Sequence, residues 1–234
     1  MNPEPESRHY DRYKVRSLKA YNSKMVERYD SLFWHRVLRT KAWDEEILAE
    51  IGSEIPSLRV LDIGCATGRL LSHLAKAGAK HLYGIDLAPN ILKVARRKLA
   101  GSEAKVELKP GDAEDTLSWP DDFFDVAILS GVLPHLYRPQ DALEEIRRVL
   151  VHGGRLIVAE PRCPAIIRHV INAGLFCFPH NGECRYRSAK LVGVLLRSSS
   201  FVEIRSKKVG RLCFMMVAST NKSRKERSPT SGSS

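Results

Sequence analysis

Three short runs place small residues and carboxylates where the polar groups of a ligand could be held. Val60-Leu-Asp-Ile-Gly-Cys-Ala-Thr-Gly-Arg-Leu70 has the form of a strand, a small-residue bend and a helix start. Small residues let the backbone of a bend approach a ligand closely, and the helix behind it offers unpaired N–H groups. Such a bend suits a nucleotide-like ligand. A dinucleotide fingerprint needs glycine at its first, third and sixth positions; these are Gly64, Ala66 and Arg69, which argues against hydride transfer. The second run, Gly84-Ile-Asp86, ends an apolar stretch, and an acid there can accept two hydroxyl hydrogen bonds from a ribose. In the third, Pro110-Gly-Asp-Ala-Glu114, the Asp112 carboxylate could accept from an adenine amino group. Taken singly, Asp62 or Asp86 could equally cap the next helix, and the glycines could serve strand-helix packing.

The elements around these runs alternate. Strands are expected at Arg59–Ile63, His81–Ile85, Lys105–Leu108, Phe124–Leu129 and Arg155–Ala159, with helices over Leu70–Ala77, Pro89–Leu99 and Asp141–Leu150. Continuous apolar strands alternating with helices predict a doubly wound α/β fold whose mostly parallel sheet binds ligands at strand C-terminal ends. A helix over Ala189–Arg197 follows. Val202–Arg205 and Leu212–Val217, joined through Gly210, predict a hairpin and hence an antiparallel last strand. Before the core, apolar residues recur at helical spacing from Tyr13 to Ile51 without Pro or Gly, giving a helical N-terminal segment over residues 1–52. Residues 53–220 form the core, with an insertion over 161–187. The first ten residues and the basic tail, 221–234, lack apolar periodicity and are expected to be disordered.

Over residues 56–161 the chain resembles the class I S-adenosylmethionine-dependent methyltransferases, in particular those of ubiquinone and menaquinone biosynthesis. The resemblance rests on Asp62-Ile-Gly-Cys-Ala-Thr-Gly68, Gly84-Ile-Asp86, Gly111-Asp-Ala113, Leu133-Pro-His-Leu136 and Arg148-Val-Leu-Val-His-Gly-Gly154. It implies a seven-stranded Rossmann-like sheet and S-adenosylmethionine as cofactor. Carried over, Asp62 belongs to the glycine-rich motif, Gly64, Cys65 and Gly68 approach the methionine moiety, and Asp86 holds the ribose. Leu87 packs on adenine, Asp112 binds its amino group with Ala113 alongside, and Ser130 lies near the sulfonium. Ala66 and His152 depart from the family pattern, which most often has Gly at the first position and often has Pro at the second. By the same analogy His135 accepts a proton or orients the acceptor, local packing being its other reading. The N-terminal segment serves as a lid with Tyr29 as a cofactor candidate, although Leu32 and Phe33 fit ordinary core.

The acceptor is less constrained. Ile166, Ile167, Val170, Ile171 and Leu175 share a helical face in the insertion, which suits a cap over a small apolar, lipid-like or quinone-like acceptor. With Arg162, Arg168, Arg185 and Arg187 it could also touch an anionic membrane surface. Residues 162–234 hold 14 Lys and Arg against 3 Asp and Glu, whereas residues 1–161 hold 24 of each, so the net +11 arises in the last third. That imbalance keeps a nucleic-acid or phosphorylated acceptor open, yet Lys222, Arg224, Lys225 and Arg227 lie in the tail and no stacking-aromatic module accompanies them. A non-catalytic scaffold of the same fold is the third reading. Cys163, Cys177, His180 and Cys184 have the ligand number but not a familiar spacing for zinc, and no metal is expected. Five cysteines, no apolar run long enough to span a bilayer and no leader-like start favour a cytoplasmic protein.

Overall fold

The computed structural model describes residues 5–21, 41–162 and 185–222. Two helices, α1 (Pro5–Tyr21) and α2 (Lys41–Ile51), precede the alternating core. The core runs β1 (Arg59–Ile63), α3 (Arg69–Lys76), β2 (His81–Asp86), α4 (Pro89–Leu99), β3 (Lys105–Pro110) and β4 (Phe124–Ser130). It continues with a 3-10 turn (Leu133–His135), α5 (Pro139–Val149), β5 (Leu150–Pro161), α6 (Ala189–Ser198), β6 (Phe201–Val209) and β7 (Cys213–Thr220). The seven strands form one sheet ordered β3-β2-β1-β4-β5-β7-β6, in which only β7 runs antiparallel to its neighbours. This is the doubly wound, mostly parallel Rossmann-like sheet with antiparallel last strand that the residue pattern predicts.

Successive side chains of a strand point to opposite faces, so both faces of a covered parallel sheet must be apolar. Val60, Leu82, Val126, Ile128 and Ile157 pack beneath α2, α3 and α4, whose Trp43, Ile47, Leu71, Leu74 and Leu92 are buried. Leu61, Ile63, Ile85, Leu129 and Val158 face α5 and α6 through Leu143, Ile146, Val192 and Leu196. Strand order then sets the crevice: β1 and β4 are adjacent central strands whose following connections pass to opposite faces, opening the sheet edge between them.

Four expectations are corrected or bounded. Residues 5–10 are helical rather than unstructured, because α1 is anchored through buried Tyr13 and Ser17. β5 starts at Leu150, where α5 was expected to continue; a register shift against β4 between Phe124 and Val126 takes up the extra length around Gly153 and Gly154. Lys222 is not part of a solvated tail: it is 3% exposed, its ammonium donating to Asp122 and to the Arg148 carbonyl at 2.7 Å. The periodic stretch from Val26 to Val37, including Tyr29, Phe33 and Trp34, lies outside the described residues, as do Cys163, Cys177, His180 and Cys184.

Candidate functional site

The bend after β1 is shaped by three residues with left-handed backbones: Gly64 at φ +66°, Ala66 at +48° and Gly68 at +71°. A Cβ at Gly64 would stand 2.6 Å from Val132 Cγ2, and one at Gly68 about as close to Ala95 and Leu99 as packing allows. Glycine is therefore required twice, once against the β4 connection and once against α4. Ala66, where the related motif has glycine, bears the penalty of a left-handed L-residue, of order 1–2 kcal/mol. Its amide N–H is compensated: it donates to Asp86 Oδ2 at 2.9 Å.

Asp86 thereby ties two connections together. Its Oδ1 accepts from Ala88 N at 2.9 Å, so the carboxylate at the end of β2 is fixed by one backbone amide on each oxygen. The Asp86 carbonyl accepts from Gly111 N at 3.1 Å, and Cys65 N donates to the Ile85 carbonyl at 3.0 Å. Asp62, Gly64, Cys65, Ala66, Gly68, Asp86, Leu87, Asp112 and Ala113 thus gather at the C-terminal ends of β1, β2 and β3, and Ser130 ends β4 beside them. Cys65 is no nucleophile here: burial, with the Asp62 and Asp86 charges, pushes its thiol well above the usual range.

At the far end of this edge Asp112 meets α1. Its Oδ1 accepts from Glu114 N at 2.9 Å and from Lys14 Nζ at 2.8 Å; its Oδ2 accepts from Tyr10 Oη at 3.2 Å and lies 2.7 Å from Lys14 Nζ. Lys14 also pairs with buried Glu114, whose other oxygen accepts from Arg138 N. Burial raises the Tyr10 phenol far above its ordinary value, which keeps it a donor.

His135 sits half-buried at the end of the 3-10 turn, its N–H donating to the Val132 carbonyl at 2.8 Å. Two side chains hold that turn, Glu160, which sequence reasoning did not single out, and Arg187, which it offered to a membrane surface and which instead faces the turn's carbonyls. Glu160, at the end of β5 and 3% exposed, accepts from Val132 N at 3.1 Å and Leu133 N at 3.0 Å. Arg187 donates through Nη1 to the Leu133 carbonyl and through Nη2 to that of Leu136, while Arg185 N donates to the Pro134 carbonyl. Burial lowers the Arg187 pKa, a cost met by those carbonyls and the nearby Glu160 charge. Glu160 was findable by the rule that selects Asp86, an acid closing an apolar strand. Tyr10, Tyr13 and Lys14 carried no such signal.

Tyr137 meets Tyr10 edge-on and Tyr13 at a tilt, at centroid distances of 5.8 and 5.5 Å, and the Arg185 guanidinium lies 5.5 Å from its ring centre. An aromatic, cation-bordered cluster therefore stands two residues beyond His135 in the chain. Among the described residues, no His, Cys, Asp and Glu group is arranged to hold a metal, and no helix is long and apolar enough to cross a membrane.

Residues 61–158, from β1 to β5, match the family described as "Methyltransferase domain". Over those residues the chain is similar to methyltransferase domains. The chain is 38% identical over 108 residues to demethylmenaquinone methyltransferase of Clavibacter sepedonicus, covering 46% of the chain and 43% of that protein. It is 31% identical over 165 residues to tRNA U34 carboxymethyltransferase of Shewanella loihica, covering 70% of the chain and 49% of that protein. The chain thus spans about half or less of each of these relatives' length. The fold also matches magnesium protoporphyrin IX methyltransferase of Synechocystis, solved with bound SAH, at a TM-score of 0.70 and 20% identity over 89% of this chain and all of that one. The relatives' names give differing acceptors, a demethylmenaquinone and a tRNA, so membership in the ubiquinone and menaquinone group does not follow from likeness. The cradle fits its cofactor: a backbone too close to Val132 for any Cβ at Gly64, beside a carboxylate held in fixed orientation.

Proposed function

We propose that this chain transfers the methyl group of S-adenosylmethionine to a small, largely apolar or quinone-like acceptor. The observation that carries the reading is the Asp86 carboxylate, clamped by the Ala66 and Ala88 amides at the mouth of a bend too tight for a side chain. Two oxygens so oriented suit the vicinal hydroxyls of a ribose. Gly64, Cys65, Ala66 and Gly68 line the methionine part with Asp62 behind them, Leu87 covers adenine, Asp112 and Ala113 meet its amino edge, and Ser130 lies near the sulfur. Tyr29 is retained as a lid residue over the cofactor.

The cofactor supplies a methyl carbon on a positively charged sulfur, so no covalent nucleophile is required of the protein. The chain's task is to hold the acceptor atom in line about 3 Å from that carbon and to exclude water. When bound, the cofactor would give that methyl to the acceptor and leave as S-adenosylhomocysteine, and His135 would receive the acceptor's proton. Glu160 and Arg187 fix the turn that carries His135. Tyr10, Tyr13 and Tyr137 offer a planar apolar acceptor one wall of the mouth.

A nucleic-acid acceptor is the second reading, favoured by the likeness to the tRNA-modifying relative. Charge placement supports the small acceptor instead. Arg205 pairs with Glu50 and Lys207 with Glu46, so part of the C-terminal basic excess is neutralised by α2. Lys222 lies beside Asp122, at the sheet edge opposite the crevice. The test is S-adenosylmethionine labelled in its methyl group, offered with demethylated quinols, with phenols or with bulk tRNA. Label in the small molecules and none in tRNA is expected; label in tRNA alone would refute the acceptor class, and His135→Ala should slow transfer while leaving cofactor affinity unchanged. Binding to vesicles containing anionic lipid, compared with neutral ones, tests a peripheral membrane contact through the insertion.

A further inference from the structure

Asp112 is saturated in this structure. An ionised carboxylate offers about four acceptor positions, and four contacts fill them: Glu114 N and Lys14 Nζ on Oδ1, Tyr10 Oη and Lys14 Nζ on Oδ2. Three of the four come from α1. The Lys14 and Asp112 side chains are only 15% and 11% exposed, so water weakens the pairing little. An adenine amino group can donate to Asp112 only where one of these donors has left.

We infer that Lys14 is an affinity-determining residue of the cofactor site: a built-in competitor that occupies the adenine-recognising acid and must yield it when the cofactor docks. The inference rests on the proposed adenine role of Asp112. Of the four contacts, the Glu114 amide belongs to the same loop and has no reason to move. Lys14 has somewhere to go. It already contacts Glu114, whose carboxylate is fully buried, so its ammonium can give up Asp112 and keep a charged partner. Retreat is therefore far cheaper than stripping a buried ammonium of every acceptor. Tyr10 stays protonated because burial raises its pKa, and it can follow Lys14 one helical turn away on the same face of α1. Tyr13, immediately before Lys14 in α1, packs at a tilt on Tyr137, two residues beyond His135, so the helix that releases Asp112 also reaches the segment that carries His135.

Calorimetry of the full chain with S-adenosylhomocysteine tests this. Lys14→Met and Lys14→Gln are expected to bind it about tenfold more tightly than the unaltered protein, the lower end of what a charge-assisted hydrogen bond contributes. Asp112→Ala is expected to bind about tenfold more weakly on the same basis. Thermal melts of each variant without ligand establish folding. Unchanged or weakened binding by both folded Lys14 variants, alongside weakened binding by Asp112→Ala, overturns the competition while leaving the site assignment intact. Unchanged binding by Asp112→Ala overturns the adenine assignment and the competition with it.

Discussion

Replacing Asp86 separates a ligand-holding carboxylate from a merely structural one. In Asp86→Ala the Ala66 and Ala88 amides lose their acceptor, and both residues are buried, Ala88 completely. Each stranded N–H costs about 1–3 kcal/mol unless water reaches it, so the ligand-free protein should lose about 2–6 kcal/mol of stability. Two ribose hydroxyls donating to a charged acceptor are worth about 1.5–3 kcal/mol each, so binding of S-adenosylhomocysteine should weaken by about 10²- to 10⁴-fold. Asp86→Asn keeps one acceptor oxygen and turns an amide donor toward the other N–H, so it should fall between the two in both measurements. Denaturant melts read the first quantity, calorimetry of the folded fraction the second. A variant that melts cooperatively at reduced stability yet binds within about threefold of the unaltered protein would show that Asp86 only braces the loops.

Gly64→Ala should lose both stability and S-adenosylhomocysteine affinity, since the new Cβ strikes Val132 at 2.6 Å and the left-handed backbone adds about 1–2 kcal/mol. Adding Val132→Ala should recover the steric part but not the backbone part, as melts of the double variant will show. Cys65 is pushed well up by burial and by Asp62 and Asp86, and Cys213 up to about 12 by burial and Glu160. Neither should be alkylated by iodoacetamide near pH 8 in the native protein, while both react after denaturation; mass spectrometry of the labelled peptides decides. His73 is held below its ordinary value by burial and by Arg69, Lys76 and Lys98, even though its Nδ1 lies 2.8 Å from the Asp44 oxygen that Arg69 also contacts. The unfolded chain then binds the proton more readily, so stability should fall as pH drops through about 6.5, and His73→Gln should flatten that slope in urea titrations. Lys222→Met takes one of two donors from the Arg148 carbonyl, which keeps Asp122 N at 3.2 Å, and removes the ammonium beside Asp122; it should cost about 1–3 kcal/mol in thermal or urea melts without altering cofactor affinity.

What was legible in the sequence follows from how local each cause is. The strands of the core declare themselves through continuous apolar runs, and Gly64 and Gly68 through a bend whose backbone only small residues tolerate. Asp86 and Asp112 could be picked out because their positions, each just after a strand, depend on a few neighbouring residues. Arg187 could not be placed: it acts on carbonyls of a turn 51 and 54 residues earlier in the chain, a relation that no periodicity encodes. Lys222 misled for a related reason, since a lysine before a polar tail looks solvated until the distant Asp122 and the Arg148 carbonyl are known to receive its ammonium.

The first helix is the sharpest case. Of α1's residues with described side chains, only Tyr13 and Ser17 are buried, and a helix so polar has little intrinsic reason to persist in water. What fixes it is long-range: Lys14 on Asp112, 98 residues away, tyrosines 10 and 13 on Tyr137, and Leu18 against Ala66, Ala88 and Ile91. A helix held by so few contacts is stabilised far less than one with a broad apolar stripe. That is the kind of element whose position a competing ligand can change. The same weakness that left residues 5–10 without a helical signal in the sequence makes α1 the part of this fold best suited to respond if the adenosyl end of a cofactor claims Asp112.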